Sequence, residues 1–181
     1  MRATLIGAAR GLFVEKGYPD TATPDIVNAA GVTRGALYHH FEDKRALFAA
    51  VVADEARKVA EMIENNAAAT ATARDAILAG TRAYFDAMLV PGRTRLLLLD
   101  GPAVLGPGAM QQLDAEYSQA SLKAGLNDLF AASGRTTDLL DAFVELLSAA
   151  FDRAALAIEA GGERQDFERA IAALIDGISV K

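Results

Sequence analysis

The most informative stretch of this sequence is TPDIVNAAGVTRGALYHHFEDK, which runs from Thr23 to Lys44. Thr23 offers a side-chain oxygen that can cap a helix, and the proline after it suits a first helical turn because its missing N–H is not needed there. Gly31 stands where a left-handed residue ends a helix, and Thr33 is a capping residue for a second helix over Arg34 to His40. The pattern predicts a helix, a tight glycine turn and another helix, which together form a helix-turn-helix.

The second helix of this pair carries residues that suit contact with DNA. Leu37 and Phe41, four residues apart, share one face and can pack against the first helix. The other positions hold hydrogen-bond donors, rings and very small side chains. Gly35 and Ala36 permit close approach to a major groove roughly 12 Å wide. We therefore interpret this segment as a DNA-reading module.

Composition agrees with an all-α fold. Of the 181 residues, 52% are hydrophobic and only five are proline, which favours helices. The sequence has no cysteine, so disulfides and thiolate chemistry are excluded. We find no apolar run long enough to cross a membrane and no signal peptide, and we therefore expect a soluble, cytoplasmic protein.

The charge is distributed unevenly along the chain. The net charge is −6, but residues 1–58 carry eight Lys and Arg against seven Asp and Glu, and the acidic excess lies in the remainder. Binding to phosphates requires a local positive surface rather than a basic protein. The sequence therefore predicts modest non-specific DNA affinity with a strong dependence on salt.

The stretch from Leu12 to Phe48 closely resembles the DNA-binding domain of the TetR family of transcriptional regulators. The features that match are Phe13, Gly17, Tyr18, Ile26, Ala30-Gly31-Val32, Leu37-Tyr38, His40-Phe41, Lys44 and Leu47-Phe48. A second stretch, Leu96 to Gly106, also looks like a segment of some ligand domains in that family. The resemblance implies an all-α protein of about nine helices. A three-helix, helix-turn-helix DNA-binding domain at residues 1–45 would be joined by a linking helix at about 43–65 to a ligand-binding and dimerisation helical bundle at 46–181.

The candidate DNA contacts lie on or beside the second helix. Arg34 is the best candidate for reading a base, because a bidentate arginine–guanine pair is the commonest specific contact. The resemblance implies phosphate contacts from Thr23, Tyr38 and His40. Lys44, where the next helix begins, is well placed to meet a phosphate as well. A core tyrosine and a merely solvated lysine are the alternatives at Tyr38 and Lys44. The full candidate set is Thr23, Thr33, Arg34, Gly35, Ala36, Tyr38, His39, His40 and Lys44.

Long helices are predicted after the helix-turn-helix. One begins at Asp43 and runs to about Asn65 without a Gly or Pro, and another covers Ala109 to Ala132. Between them, the unbroken apolar run Leu96 to Leu99 predicts a segment that is buried on all sides.

The last two helices carry more apolar surface than one small bundle needs. Phe167, Ile171, Leu174 and Ile178 are spaced by four, three and four residues, as in a coiled-coil seam. We therefore predict a homodimer, with a monomer core as the alternative. Two reading helices about 34–36 Å apart would match a palindromic operator. The predicted interface residues are Phe143, Leu147, Ala150, Phe151, Ala154, Ile158, Phe167, Ile171, Leu174 and Ile178.

The resemblance also implies a small-molecule effector that binds the C-terminal domain and releases DNA. Physically, an effector does this only by favouring a conformation that binds DNA less well. Apolar and aromatic candidates suggest a hydrophobic or aromatic effector, and plain core packing is the alternative at each position. The candidate pocket residues are Arg82, Phe85, Met88, Leu89, Asp100, Val104, Met110, Tyr117 and Phe151.

Enzyme and metal functions lack support in the sequence. Neither a GxSxG nor an HExxH pattern occurs, and both histidines lie on the reading helix. Adjacent helical residues point about 100° apart, so His39 and His40 are poorly placed to share one ion. We predict no catalytic residue, metal or cofactor. The alternative to a regulator is a ligand-binding or adaptor bundle whose helix-turn-helix is structural only.

Overall fold

The computed structural model describes residues 1–67 and 70–179, and every regular element in those ranges is helical. Residues 68, 69, 180 and 181, which the predicted 46–181 domain includes, lie outside the described residues. The helices are α1 (Arg2–Lys16), α2 (Thr23–Ala30), α3 (Arg34–His40), α4 (Lys44–Ala67), α5 (Ala73–Met88), α6 (Arg93–Arg95), α7 (Gly101–Leu105), α8 (Pro107–Glu116), α9 (Ser118–Ser133), α10 (Leu140–Glu159) and α11 (Arg164–Ser179), with a π-helical turn at Leu96–Asp100 between α6 and α7. The predicted all-α class is confirmed. None of the described helices combines the length and the apolar composition that a membrane crossing requires.

The chain divides into two compact units. Unit 1 comprises Met1–Ala56 and Pro91–Leu113, and unit 2 comprises Arg57–Val90 and Asp114–Lys181. Unit 1 therefore combines the three N-terminal helices and the first half of α4 with a later segment that holds α6, the π-helical turn and α7. The predicted functional boundary at residues 45–46 stays a prediction, since packing alone assigns no function to either part.

Local chemistry explains the ends of the helix-turn-helix. Gly31 ends α2 in the left-handed conformation (φ 64°, ψ 32°), as predicted. Thr33 caps α3, because its hydroxyl accepts a hydrogen bond from the Ala36 N–H at 3.2 Å. The predicted capping role of Thr23 is wrong. Thr23 is already the first helical residue, Ala22 occupies the capping position, and no side chain caps this end of α2.

Aromatic packing builds the core of unit 1. The ring of Phe48, on α4, lies 5.1 Å from that of Phe13 and 4.9 Å from that of Tyr18, both in edge-to-face arrangements. Leu5 and Ile26 are fully buried in the same unit. Edge-to-face pairs add to the stability that comes from burying their area. The aromatic cluster thus joins α1, the turn after it and α4.

The segment after Pro91 differs from its prediction. Leu96 and Leu97 are buried but Leu99 is half-exposed, so burial of the run on all sides is wrong. These residues form a π-helical turn, in which the Gly101 N–H donates to the Leu96 carbonyl. Successive side chains of a helical turn point in different directions, and Leu99 lies on its outer side. A Cβ at Gly101 would lie only 3.0 Å from that carbonyl oxygen, which explains the glycine.

Unit 2 contains the remainder of α4 together with α5 and α9 to α11. The prediction of one helix over Ala109 to Ala132 is wrong, because α8 and α9 are separated at Tyr117 (φ −110°, ψ −62°). The predicted seam on α11 is also divided. Ile171 and Ile175 are buried within the unit, whereas Leu174 is half-exposed. The inward face of α11 in the single chain therefore includes Ile171 and Ile175, and the predicted seam with a second copy stays a prediction.

Candidate nucleic-acid interface

Within helix α3, Leu37 is the one buried residue. Leu37 is fully buried, and Phe41, which ends the helix, is buried beside it. Arg34, Gly35 and His39 are exposed. Tyr38 keeps 44% of its surface accessible, and the remaining helical positions, Ala36 and His40, are half-buried. The outer face of α3 thus offers a row of donors and small side chains to a partner.

Stacking contacts organise the arginines near this face. The guanidinium carbon of Arg34 lies 5.5 Å from the centroid of the Tyr38 ring, and that of Arg2 lies 5.2 Å from the Phe41 ring. Arginine favours such stacking because the face of the ring attracts its charge. Arg34 is therefore held on the outer face of α3 while its N–H groups remain available.

The two histidines lie with their rings 5.2 Å apart at an interplanar angle of 69°. Within residues 1–67 and 70–179, no group of three or more His, Asp or Glu side chains is arranged to hold a metal ion. This pair belongs to the polar surface at the C-terminal end of α3.

Lys44 makes contacts that the sequence prediction did not include. Its Nζ donates to the carbonyl oxygens of Tyr18 at 2.9 Å and Thr21 at 3.0 Å, and lies 3.5 Å from that of Pro19. It also lies 4.3 Å from the centroid of the Tyr18 ring. The ammonium is thus turned toward the segment between α1 and α2.

The two threonines of the candidate set lie at the starts of α2 and α3. Thr33 is exposed and caps α3, and Thr23 is half-buried in the first turn of α2. In the same turn, Asp25 accepts a hydrogen bond from Lys16 Nζ at 3.0 Å. Asp25 adds favourable negative charge at the positive end of the α2 dipole.

A buried ion cluster lies within unit 1. Glu55, on α4, is 1% exposed, and its carboxylate lies 2.8 Å from Arg93 Nε and 3.1 Å from Arg10 Nε. Arg10 also donates to the Pro91 carbonyl at 3.1 Å. Sequence reasoning missed this cluster, although a signal existed: Glu55 interrupts the apolar stripe of α4 between Val52 and Val59. The cluster connects α1, α4 and the segment after Pro91.

The predicted pocket residues are distributed over both units. In unit 2, Phe85 and Met88 are buried, Tyr117 and Phe151 are half-buried, and Arg82 and Leu89 are exposed. Leu89, which follows the last residue of α5, does not point into the core.

In unit 1, Asp100 and Val104 are half-buried and Met110 is buried. The carboxylate of Asp100 lies 3.3 Å from Arg95 Nε. The sulfur of Met110 would lie 2.9 Å from a Cβ at Gly101. Met110 and Asp100 thus take part in the packing of the segment after Pro91, and their predicted pocket role stays a prediction.

Unit 2 also contains a polar cluster that the prediction missed. The Tyr84 hydroxyl donates to Asp152 Oδ1 at 2.6 Å, and the Phe151 ring lies 6.0 Å from that of Tyr84. Burial, with the neighbouring charges of Asp152 and Glu145, raises the pKa of Asp114 to about 6. Burial also raises the pKa of Asp152. Residues this far apart in sequence carry no local pattern that would have identified the cluster.

The predicted interface residues on α10 and α11 divide between the core and the surface of unit 2. Leu147, Ala154 and Ile171 are buried in the single chain, because these positions face the other helices of the unit. They have little surface left for a second copy. The remaining predicted positions are half-buried or half-exposed: Phe143, Ala150, Phe151, Ile158, Phe167, Leu174 and Ile178.

Two exposed leucines were not among the predicted interface residues. Leu146 is 69% exposed and Leu139 is also largely exposed, both on or beside α10. Both leucines are therefore accessible to a partner.

Two family profiles match this sequence. The profile described as "Bacterial regulatory proteins, tetR family" matches residues 5–51, which include the helix-turn-helix. The profile described as "Tetracyclin repressor-like, C-terminal domain" matches residues 74–178. The two matches together cover both the candidate interface and most of unit 2.

Individual proteins give the same result. The HTH-type transcriptional repressor AcnR of Corynebacterium glutamicum is 37% identical over 65 residues, a stretch that covers 36% of this chain and 35% of AcnR. The structure of a TetR-family transcriptional regulator from Pectobacterium atrosepticum is 30% identical, with a TM-score of 0.75 over 99% of this chain and 94% of its own. FadR from Bacillus subtilis, in complex with stearoyl-CoA, is 15% identical with a TM-score of 0.77 over 97% of both chains, a likeness that shows the fold alone.

The C-terminal profile by itself covers more than half of the residues, and the N-terminal profile coincides with the helices that carry the candidate interface. The chain belongs to the TetR family of transcriptional regulators.

Proposed function

We propose that this chain is a ligand-responsive transcriptional repressor that binds a palindromic DNA operator as a homodimer. The observation that carries the proposal is the single anchor of α3, in which Leu37 alone is buried while Arg34, Gly35 and His39 are exposed. A helix held in this way can enter the major groove without losing its packing. The similarity to the repressor AcnR supports repression rather than activation of transcription.

Base reading is assigned to Arg34, Gly35, Ala36 and His39. Arg34 contacts a guanine, and its stacking on Tyr38 orders the side chain before DNA binds. At Gly35, an added Cβ would meet no atom closer than Thr33 Oγ1 at 3.9 Å, so the surface here is open to a base pair. Phosphate contacts are assigned to Thr23, Thr33, Tyr38 and His40, which flank this surface.

The homodimer rests on the apolar surface of unit 2. Leu146 and Leu174 are exposed, and small residues such as Ala149 and Ala170 lie beside them on α10 and α11. Small side chains let helices approach closely, and a two-fold pair would present two reading helices to the two halves of a palindrome. Sedimentation of a monomer only, at micromolar concentration, would contradict this part of the proposal.

The effector is proposed to be a small hydrophobic or aromatic molecule bound among the apolar residues of unit 2. Phe85, Met88, Tyr117 and Phe151 supply apolar and aromatic surface there. FadR, which shares the fold, was solved with stearoyl-CoA, so this architecture can hold an acyl ligand in that protein. Release of DNA follows when the bound conformation has lower affinity for the operator.

The test is selection from a random duplex pool, followed by gel shift with the enriched sequence. We expect a palindromic consensus. Arg34→Ala should lower affinity for it by about 1–3 kcal/mol and relax preference at one base pair in each half-site. Arg169→Ala is the matched control, because Arg169 is an exposed arginine of α11 paired with Asp166. A pool without any enriched sequence would favour the adaptor interpretation instead.

A further inference from the structure

We propose that Lys44 is a positioning residue: its ammonium fixes the turn before α2, and through it the orientation of α3, instead of binding a DNA phosphate. This rests on the proposed DNA-binding function. From the sequence alone, the position of Lys44 at the start of the helix after α3 predicts a phosphate contact.

The first argument is the geometry of the ammonium group. An ammonium has three N–H donors, and three carbonyl oxygens surround Lys44 Nζ: Tyr18 at 2.9 Å, Thr21 at 3.0 Å and Pro19 at 3.5 Å. The Tyr18 ring, 4.3 Å away, adds a cation–π contact. All three donors therefore have acceptors within the protein, and the Lys44 side chain is half-buried among them. A phosphate would have to displace these contacts.

The second argument concerns the turn itself, which spans residues 17–22. Thr21 is fully buried, and its hydroxyl lies 2.7 Å from the Gly17 carbonyl oxygen and 3.2 Å from that of Leu12, both at the end of α1. Thr21 thus joins the turn to the end of α1, and Lys44 binds carbonyls of the turn itself. A positive charge beside the C-terminus of α1 is also favourable to its dipole. Without Lys44, the carbonyls of Tyr18 and Thr21 would lose these hydrogen bonds.

The third argument is that Lys44 links the start of α2 to the end of α3. The chain enters α2 just after Thr21 and leaves α3 at Phe41, and Lys44 is the first residue of α4. The Lys44–Thr21 hydrogen bond therefore joins the entrance of the helix-turn-helix to its exit. Asp43 strengthens the exit, since its Oδ1 accepts from the Ala46 N–H at 2.7 Å and caps α4. With both ends joined, α2 and α3 move together with the core of unit 1.

The first experiment uses the unaltered protein. In ¹⁵N-labelled protein, we expect the Lys44 ammonium protons to exchange slowly with water, because carbonyls hold all three. The exposed Lys123, paired with Asp141 at the surface, is the internal control and should exchange rapidly. On adding the duplex enriched by selection, the Lys44 signal should persist without through-hydrogen-bond coupling to ³¹P. Rapid exchange of Lys44, or coupling to phosphorus, would overturn the proposal.

The second experiment separates the two roles by salt dependence. Lys44→Met keeps most of the stem but removes the charge and the donors. We expect the preference for the selected duplex over random duplex to fall by roughly 5- to 150-fold, the equivalent of one misplaced bidentate base contact. The slope of affinity against salt should stay unchanged. An equal loss on both duplexes, with a slope reduced by about one, would identify a phosphate contact instead.

These outcomes distinguish this proposal from the proposed function. Proton exchange of the Lys44 ammonium in DNA-free protein tests its contacts with the turn, whether or not selection enriches a duplex. If Lys44→Met does not fold, the labelled unaltered protein still decides between the two roles. If the protein prefers no duplex, the proposed function fails. Slow exchange of Lys44 would then still show that its ammonium fixes the turn, but without a role in DNA recognition.

Discussion

Replacing Glu55 by alanine should cause a large loss of stability. The mutation leaves two arginines without their shared carboxylate, and the side chain of Arg93 is only 6% exposed. At the 2.8 Å separation of Arg93 Nε and Glu55 Oε2, the gross attraction is about 6 kcal/mol for an effective dielectric constant of about 20. The net loss is smaller, since removing Glu55 also recovers its desolvation free energy. Breaking a buried pair in this way typically costs about 3–5 kcal/mol.

The measurement is thermal and urea unfolding followed by circular dichroism at the helix band. For a chain of this length, about 3–5 kcal/mol corresponds to a fall in Tm of about 6–20 °C. Glu61→Ala is the matched control on the same helix. Glu61 is 54% exposed and pairs with Arg57 one turn away, so its loss should cost about 0.3–0.5 kcal/mol.

Equal destabilisation by the two substitutions would refute the reasoning, because burial is the property that separates the two pairs. A large loss for Glu55→Ala with a small loss for Glu55→Gln would also count against it. Glutamine keeps the volume and one acceptor but removes the charge that Arg10 and Arg93 need.

Three further predictions follow from other parts of the molecule. The folded-state pKa of Asp114 is raised to about 6 from an unfolded value of about 4, so ionisation of Asp114 should lower stability as pH rises through that window. Asp114→Asn should therefore raise Tm at pH 7.5 and have little effect at pH 4. Equal effects at the two pH values would contradict this reasoning. Gly92→Ala should destabilise more than Gly31→Ala in urea unfolding, since both glycines have positive φ but only at Gly92 would a Cβ lie 2.5 Å from Val14 Cγ1. Leu146→Glu should shift analytical ultracentrifugation profiles toward monomer, and an unchanged profile would remove Leu146 from the proposed interface.

Features with local chemical causes were predictable from the sequence. Gly31 in the left-handed conformation and the Thr33 cap both follow from what those residues do within a few positions of themselves. Thr23 shows the limit of the same reasoning. A residue that prefers capping positions lies one position inside the helix, because the carbonyl of Ala22 already accepts from the Asp25 and Ile26 N–H groups.

Features that depend on distant partners were not predictable. The Tyr84–Asp152 hydrogen bond joins residues 68 positions apart, and no periodicity connects them. The break between α8 and α9 at Tyr117 has no glycine or proline to mark it. An apolar run predicted burial of Leu99, but Leu99 lies on the outer side of the π-helical turn.

The candidate interface contains both features that the sequence predicts and features that it does not. The identity of the outward positions on α3 followed from the placement of Leu37 and Phe41, since apolar residues four apart define one face. The carbonyl contacts of Lys44 involve residues 23 to 26 positions earlier, so no local sequence pattern indicates them.

The single anchor of α3 has a consequence for how sequence preference can change. Fold stability depends on Leu37, whereas recognition is proposed to depend on its exposed neighbours, so the two properties are controlled by different side chains. Surface substitutions away from special contacts usually alter stability by less than about 0.5 kcal/mol. A descendant protein could therefore acquire a new target site through one or two exchanges on this helix while its scaffold stays intact.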